Sequence, residues 1–366
     1  GYELYGSRNS YFTQKMQAAL QASARGISPI EFFTSFAFPI SQWYFPNDYM
    51  FVVKGTSNTE EVEKRSGTHQ LPAMLTPENW LIADSTPMLT LLDSRLPMRR
   101  FYPEGIVGCL AAVMEEYFDE WSARWCIHTR WMVNDETAWH ASEGMMAERD
   151  IPEAMRKAAQ ENVISWGRRA ARAIGVSSEI QQQESEKEIL RIFGAFDEHL
   201  KTHRFVFGDA PTAVDAVMMG GLRAHFLNDL YPKSIMTEAG YANVQRWHDE
   251  WDKSDIGSAD ETLQNVTAGN LPPFVEMILD EMSGGFKTFV LGMKKAHEEG
   301  TKAAVVTVYN EEVSYLFRPY TEKSRRMLME KLGNHLATCS AAEREDFAKV
   351  MAKYGLAELY MPRASL

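Results

Sequence analysis

Cysteine is scarce. Cys109, Cys126 and Cys339 are the only three, odd in number, widely spaced and without a CxxC among them. That usage argues against a disulfide framework and for a reducing compartment, with the cytoplasm as the expected location. It also excludes a zinc site built on cysteine pairs, and no metal is expected. Long apolar runs are missing as well. No stretch reaches the roughly 20 residues that span a bilayer, and Gly1–Ser10 does not have the make-up of a signal peptide. There is no run of Lys or Arg, and the net charge is −12. A nucleic-acid ligand is therefore not expected, because neutralising phosphates needs a basic face. Internal repeats and low-complexity tracts are absent too.

What is present fits a folded globular chain. Hydrophobic residues make up 45% and charged residues 24% of the 366 positions. That length is too great for one ordinary core and suits two or three domains.

The first ninety-odd residues alternate strand and helix. Tyr2–Tyr5 reads as a short strand, and Ser10 opens a helix with Phe12, Met16 and Leu20 as its buried stripe. Gly26 closes that helix, and Ile30–Thr34 reads as a second strand. This βαβ opening predicts a parallel pair. A loop-rich passage follows, with Pro39, Pro46 and the aromatic residues Trp43, Tyr44, Phe45, Tyr49 and Phe51. The apolar runs Leu71–Leu75 and Trp80–Ile82 flank a turn at Thr76–Asn79, which predicts an antiparallel hairpin. Asp84-Ser85-Thr86-Pro87 is a helix start, with Asp or Ser as the cap and Pro in the first turn. The order β-α-β then β-β-α predicts a thioredoxin-like domain over residues 1–95.

After Pro97 the pattern becomes helical. Ile106, Leu110, Val113, Met114, Tyr117, Trp121, Trp125, His128 and Met132 step by three and four, predicting one long amphipathic helix. Ile189, Phe193, Phe196 and Leu200 mark another. Thr212 and Asp215 form a capping-box-like start, in which Asp215 reaches back to the N–H of the cap. Residues 96–250 are thus expected to form an all-α domain. Residues 251–366 form an added extension: Pro272–Glu299 is helical by pattern, and Ala303–Tyr309 and Val313–Phe317 form a hairpin about Asn310-Glu311-Glu312. Glu322–Leu336 and Ala341–Tyr354 are helical again. The fold class is α+β.

Four local motifs in order resemble the glutathione transferase superfamily. Leu4-Tyr5-Gly6 followed by Ser10-Tyr11-Phe12-Thr13-Gln14-Lys15 is similar to the LYxxxxSPFxxK opening of many bacterial members, with Tyr11 in place of the common Pro. Gln70-Leu71-Pro72-Ala73-Met74 stands where the family has a Q-V-P-x-L with a cis proline. Ile82-Ala83-Asp84-Ser85 resembles I-x-[ED]-S, and Phe207-Gly208-Asp209 with Thr212 to Asp215 resembles the F-G-x-x-x-T-x-x-D box of the helical domain. The likeness covers roughly residues 1–250. The extension has no counterpart in the ordinary enzymes.

The resemblance implies glutathione as co-substrate or cofactor, a small hydrophobic electrophile as second substrate, and a homodimer. The chemistry needed is to lower the pKa of the glutathione thiol, since the thiolate is the nucleophile. A hydroxyl donating to the sulfur, helped by a helix N-terminus, does this. Ser10 occupies the slot that holds Ser or Cys in the family. Ser7, Tyr5 and Tyr11 are competing hydroxyls, and a bare helix cap is the plainer role for Ser10. Residues 1–108 contain no cysteine, so a mixed-disulfide mechanism has no nucleophile. For the tripeptide, Leu71 beside Pro72 would pair with the cysteinyl part, and Asp84 with Ser85 would hold the γ-glutamyl group. Gln70 would meet the glycyl end. Tyr11, Tyr117, Trp121 and Trp125 are candidates for a hydrophobic pocket, although aromatic stripes at helical spacing usually build a core. His128 reads as a hydrogen-bonded packing residue. The rival reading is a binding or scaffold protein that keeps the fold without catalysis. A glutathione-dependent lyase, isomerase or dehalogenase is a variant of the enzyme.

Overall fold

A computed structural model describes residues 2–23, 30–33, 39–45, 49–55, 59–67, 70–95, 101–149, 151–251, 265–317 and 319–361. The helix end at Gly26, the strand end at Thr34, the loop residue Pro46, the start of the helical pattern after Pro97 and residues 252–264 of the extension lie outside them.

Six strands form one sheet in the order β2-β3-β4-β1-β5-β6: β1 (Tyr2–Tyr5), β2 (Ile30–Phe33), β3 (Pro39–Phe45), β4 (Tyr49–Gly55), β5 (Ala73–Leu75) and β6 (Leu81–Ala83). Helices α1 (Tyr11–Ser23), α2 (Thr59–Ser66) and α3 (Ser85–Arg95) belong to the same region. The β5–β6 hairpin forms antiparallel as read, with Ala73 opposite Ala83 and Met74 opposite Ile82. The expected parallel β1–β2 pair does not form. The parallel partner of β1 is β4, with Leu4 beside Val53, while β2 pairs antiparallel with β3 further along the sheet. The passage taken as loop-rich is mostly strand. Its aromatic and β-branched run favours a pleated surface, and Pro39 is tolerated because it is the first residue of β3.

From residue 106 onward the described chain is mostly helical: α4 (Ile106–Glu120), α5 (Ala123–Ile127), α6 (Asp135–Ala147), α7 (Glu153–Ala173), α8 (Glu179–His199), α9 (Ala213–Gly221), α10 (Leu230–Ala239) and α11 (Ala242–Trp251). The single long helix expected over Ile106–Met132 is broken. It stops at Glu120, restarts as α5 and ends in a π-helical turn, His128–Met132. The Ser122 hydroxyl donates to the Phe118 carbonyl, the kind of local competition that bends helices. Nor is α4 amphipathic. Ile106 to Glu115 are all buried, because α9, α14 and α15 pack around it. The capping box on α9 forms as read. Asp215 accepts from the Thr212 N–H at 2.8 Å and from the Val206 N–H at 2.9 Å. Helix α9 lies closely on α1, and a Cβ on Gly220 would come within 2.6 Å of the Lys15 backbone nitrogen.

The last hundred residues hold α12 (Pro273–Glu281), a π-helical turn (Met282–Phe286), α13 (Lys287–Glu299), a hairpin of β7 (Ala303–Val308) and β8 (Glu311–Leu316), then α14 (Pro319–Thr338), α15 (Ala341–Lys353) and α16 (Ala357–Tyr360). The hairpin turn is Tyr309-Asn310, with φ of 54° and 60°, rather than Asn310–Glu312. Two left-handed residues are the signature of a type I′ turn. Asn suits that conformation, and Tyr309 is held there by its hydroxyl, which donates to the Glu188 carboxylate. The extension does not stand apart. Phe286, Phe289, Leu332, Phe347 and Tyr360 share one buried cluster with Tyr2, Leu4 and Leu110.

His199, at the end of α8, is buried, and one ring nitrogen lies 3.0 Å from the Phe205 carbonyl. Burial, with His203 stacked beside it, pushes its pKa down to about 4. The unfolded chain therefore binds the extra proton first. The stability that neutral His199 contributes is fully present above pH 6.5 and is lost as pH falls toward 4. Thermal melts at pH 7 and pH 5 should show a smaller acid-induced drop in Tm for His199→Gln than for the wild type; an equal drop would contradict this origin. Gly220→Ala should lower stability by about 1–3 kcal/mol in urea unfolding through overpacking, and an unchanged midpoint would contradict the close α1–α9 contact.

Candidate functional site

The register brings three separate segments to one end of the sheet. Tyr5 is opposite Ala73, and Ala73 is opposite Ala83. Strands in a sheet lie about 4.8 Å apart, so Gly6, Pro72 and Asp84, each one residue further on, lie side by side at that edge. The Leu71–Pro72 peptide is cis. Because β1 and β6 both run antiparallel to β5, α1 and α3 start from this same edge. Two helix N-termini there favour negative charge.

Ser10 caps α1. Its Oγ accepts from the Thr13 N–H at 3.3 Å, while its own N–H donates to the Ser7 carbonyl at 3.0 Å. Among the described residues that is the only hydrogen bond to the Ser10 hydroxyl, so its proton is left to donate. Asp84 has a φ of 82°, a strained setting for a residue with a side chain, which is often found at ligand sites. Its Oδ1 accepts from the Thr86 N–H at 3.1 Å. Ser85 is buried at the first position of α3, and Gln70 is exposed just before Leu71.

The competing hydroxyls are engaged elsewhere. Tyr5 donates to Glu3 at 2.7 Å, and burial with that carboxylate pushes its pKa up to about 12. Tyr11 is buried, hydrogen-bonds Ser122 and packs beside Phe12 and His225; burial holds its pKa well above 10. Ser7 accepts from the Asn9 N–H at 3.1 Å and hydrogen-bonds Glu148.

Two buried ionic groups hold these pieces. Arg130, in the π-helical turn after α5, donates to Asp229 at 2.6 Å and 3.2 Å, to the Ala224 carbonyl at 2.5 Å and to the Asn9 carbonyl at 2.9 Å. The turn before Ser10 is thereby tied to the helices. Burial would raise the Asp229 pKa, but the Arg130 charge and His225 hold it below the usual carboxylate range. Beneath α1 and α3, Lys15 donates to Glu115 at 2.6 Å and to Asp119 at 2.7 Å. The Thr86 hydroxyl donates to Asp119 at 3.0 Å, Tyr102 donates to Glu115, and Lys331 of α14 lies 3.4 Å from Glu115. Burial alone would depress the Lys15 pKa, yet the two carboxylates raise it. Glu115 is held low by Lys15 and Lys331 against the cost of burial, whereas burial and the neighbouring Glu115 push Asp119 up.

Tyr117, Trp121 and Trp125 stand in the core as packed, each at most 1% exposed. The Trp121 and Trp125 indoles donate to Glu188 of α8 at 3.1 Å and 2.5 Å, and Phe286 lies edge-on to Tyr117. His128 is buried with a ring nitrogen 2.7 Å from Glu186. Lys15, Glu115, Asp119 and Arg130 were not among the residues expected from the sequence to support the site. A lysine beside the apolar stripe of α1, and two acids four apart on an apolar helix, were the available signals. A cleft of about 460 Å³ between α6 and α7, lined by Asp135, Trp139, Ile164, Arg168 and Arg172, belongs to other elements. Among the described residues no group of three or more His, Cys, Asp or Glu is placed to hold a metal ion, and no helix is long and apolar enough to cross a membrane.

Residues 153–253 match the family model described as "Glutathione S-transferase, C-terminal domain". None of the curated proteins matches the chain. Among solved structures, the chain is similar to a glutathione S-transferase from Rhodospirillum rubrum F11, at 11% identity and a TM-score of 0.40, with 75% of this chain and 96% of that chain covered. It is similar to a glutathione S-transferase of Methylobacterium radiotolerans solved in complex with glutathione sulfonate, at 17% identity and a TM-score of 0.38, covering 72% and 96%. A Tau class enzyme from mango gives 13%, 0.36, 70% and 92% in the same measures. The family match runs from the start of α7 to just past α11, and it supports the glutathione S-transferase superfamily for the helical region it covers.

Proposed function

We propose that the protein is a glutathione-dependent transferase acting on a small hydrophobic electrophile. The observation that supports the reading is the register that ends β1, begins β5 after Leu71–Pro72 and ends β6 at one end of the sheet, from which α1 starts at Ser10 and α3 at Asp84–Ser85, with the Ser10 hydroxyl proton uncommitted among the described residues. The four sequence motifs and the family match over residues 153–253 support it from other parts of the chain. In this reading residues 1–95 are a thioredoxin-like domain with added strands, 96–250 the helical domain and 251–366 the extension. A homodimer and a cytoplasmic location belong to the same reading, carried by the resemblance and the cysteine usage.

Each residue then has a role. The Ser10 hydroxyl donates to the glutathione sulfur, and the α1 N-terminus adds a favourable field, so the thiolate is stabilised and its pKa falls. The Leu71 backbone pairs with the cysteinyl unit. The Asp84 carboxylate takes the γ-glutamyl ammonium, and Ser85 with its N–H takes the carboxylate. Gln70 is assigned to the glycyl end. Tyr11 would wall the thiol end through its packing, while the core positions of Tyr117, Trp121 and Trp125 assign them to packing. A lyase, isomerase or dehalogenase would use the same thiolate on a different second substrate.

A binding protein without catalysis is the second reading, favoured by those core positions, which leave the second substrate without its expected aromatic wall. Millimolar glutathione should raise the Tm and the protein should be retained on immobilised glutathione; neither effect would sink both glutathione readings. Ser10→Ala should cut turnover of an activated chloroarene by about 10–100-fold, the worth of a hydrogen bond to a charged group. Its affinity for glutathione should change far less. Because the cap is lost as well, a stability loss of about 1 kcal/mol accompanies it. Retention without any turnover in the wild type would select the binding protein, and an unchanged rate in Ser10→Ala would move the role to Ser7 or a tyrosine.

A further inference from the structure

Asp84 is touched from the far end of the chain. Its Oδ1 accepts from the Thr86 N–H at 3.1 Å, and its Oδ2 accepts from the hydroxyl of Ser324, in the second turn of α14, at 3.3 Å. The two residues lie 240 positions apart. We infer that Ser324 is a positioning residue for the Asp84 carboxylate, so that the extension forms part of the ligand site; this rests on the proposal that Asp84 meets the γ-glutamyl ammonium.

The position of Ser324 is fixed independently of Asp84. The next residue, Arg325, pairs with Glu116 of α4 and donates to the Leu359 carbonyl, and Tyr360 donates to the same Glu116 carboxylate at 2.6 Å. Further along α14, Leu328 and Leu332 are buried in the shared core, and Lys331 pairs with Glu115. Helix α14 is thus fastened along α4 at several points, and the Ser324 hydroxyl is presented to Asp84 by that packing.

The chemistry suits a positioning role. Asp84 is unusual in its left-handed backbone, and two donors, one on each oxygen, set the plane of its carboxylate. A carboxylate has about four lone-pair sites, so two remain for an ammonium. Ser324 is neutral. It stabilises the anion without neutralising it, whereas a lysine or arginine there would compete with the ligand. The Asp119 carboxylate lies near enough to feel the Asp84 charge, and Asp119 is itself paired with Lys15. Without Ser324 the Oδ2 oxygen loses its donor and the carboxylate is free to rotate away from the ligand.

The test compares glutathione with its analogue lacking only the α-ammonium, the glutaryl form, on the full chain by calorimetry and steady-state rates. Ser324→Ala should weaken glutathione binding by about 3–10-fold, the effect of losing one hydrogen bond. Its kcat at saturation should stay within about twofold, and its affinity for the glutaryl peptide should match the wild type. Ser324→Thr should restore glutathione binding. In Asp84→Asn, adding Ser324→Ala should cost nothing further. Should Ser324→Ala fold poorly, Ser324→Cys, of similar size and a weak donor, gives the same comparison. Equal glutathione affinity in wild type and variant, or an equal loss for both peptides, would overturn the inference and leave the proposed function standing. A wild type that binds neither peptide would overturn both.

Discussion

The buried ammonium of Lys15 must be satisfied, and the layout of the candidate site depends on how that is done. A lysine with no exposed side-chain surface is tolerated only if paired and hydrogen-bonded. Glu115 and Asp119, one turn apart on α4, provide the pairing. Each carboxylate in turn gathers further donors: Thr86 from α3, Tyr102, and Lys331 from α14. One charge on α1 therefore fixes α1, α3 and α14 against α4. Ser10 lies at the start of α1 and Asp84 just before α3, so their relation at the sheet edge is set by this cluster and by the β1–β5–β6 register. Breaking such a pair on one side leaves an uncompensated charge, which is why the cluster constrains more than its net stabilisation would suggest.

The same logic makes the last hundred residues integral. Glu188 of α8 is buried and receives donors from Trp121, Trp125 and Arg124, and also from Tyr309 at the tip of the extension hairpin. Phe286, Phe289 and Tyr315 pack on Tyr117 and Trp121. The extension thus completes both the polar and the apolar interior of the helical region, and α14 carries that integration to Asp84.

Features written in neighbouring residues were legible in the sequence. The start of α1 at Ser10, the β5–β6 hairpin, the helix start at Asp84-Ser85 and the Thr212–Asp215 box each depend on contacts within a few positions. Strand order did not follow from such signals, because β4 rather than β2 lies beside β1 and its pairing spans nearly fifty residues. The α4 helix read as amphipathic from its three-and-four spacing, whereas its remaining face is apolar too and is covered by α14 and α15, elements read as a separate extension. Trp121 and Trp125 offered an apolar stripe, but the carboxylate that claims their indole N–H groups lies on α8. The hairpin turn was displaced by one residue for the same reason: Glu188 holds Tyr309 in a conformation its own chemistry disfavours. Ser324 beside Asp84 was illegible, since nothing local links the two.

In the proposed function, glutathione lies across the sheet edge with its thiol at Ser10. A crystal structure of the full chain grown with glutathione tests it most directly. The expected result is the sulfur within hydrogen-bond distance of the Ser10 hydroxyl, the cysteinyl backbone beside Leu71 and the γ-glutamyl group at Asp84 and Ser85. Glutathione bound elsewhere, or with its sulfur away from Ser10, would contradict it.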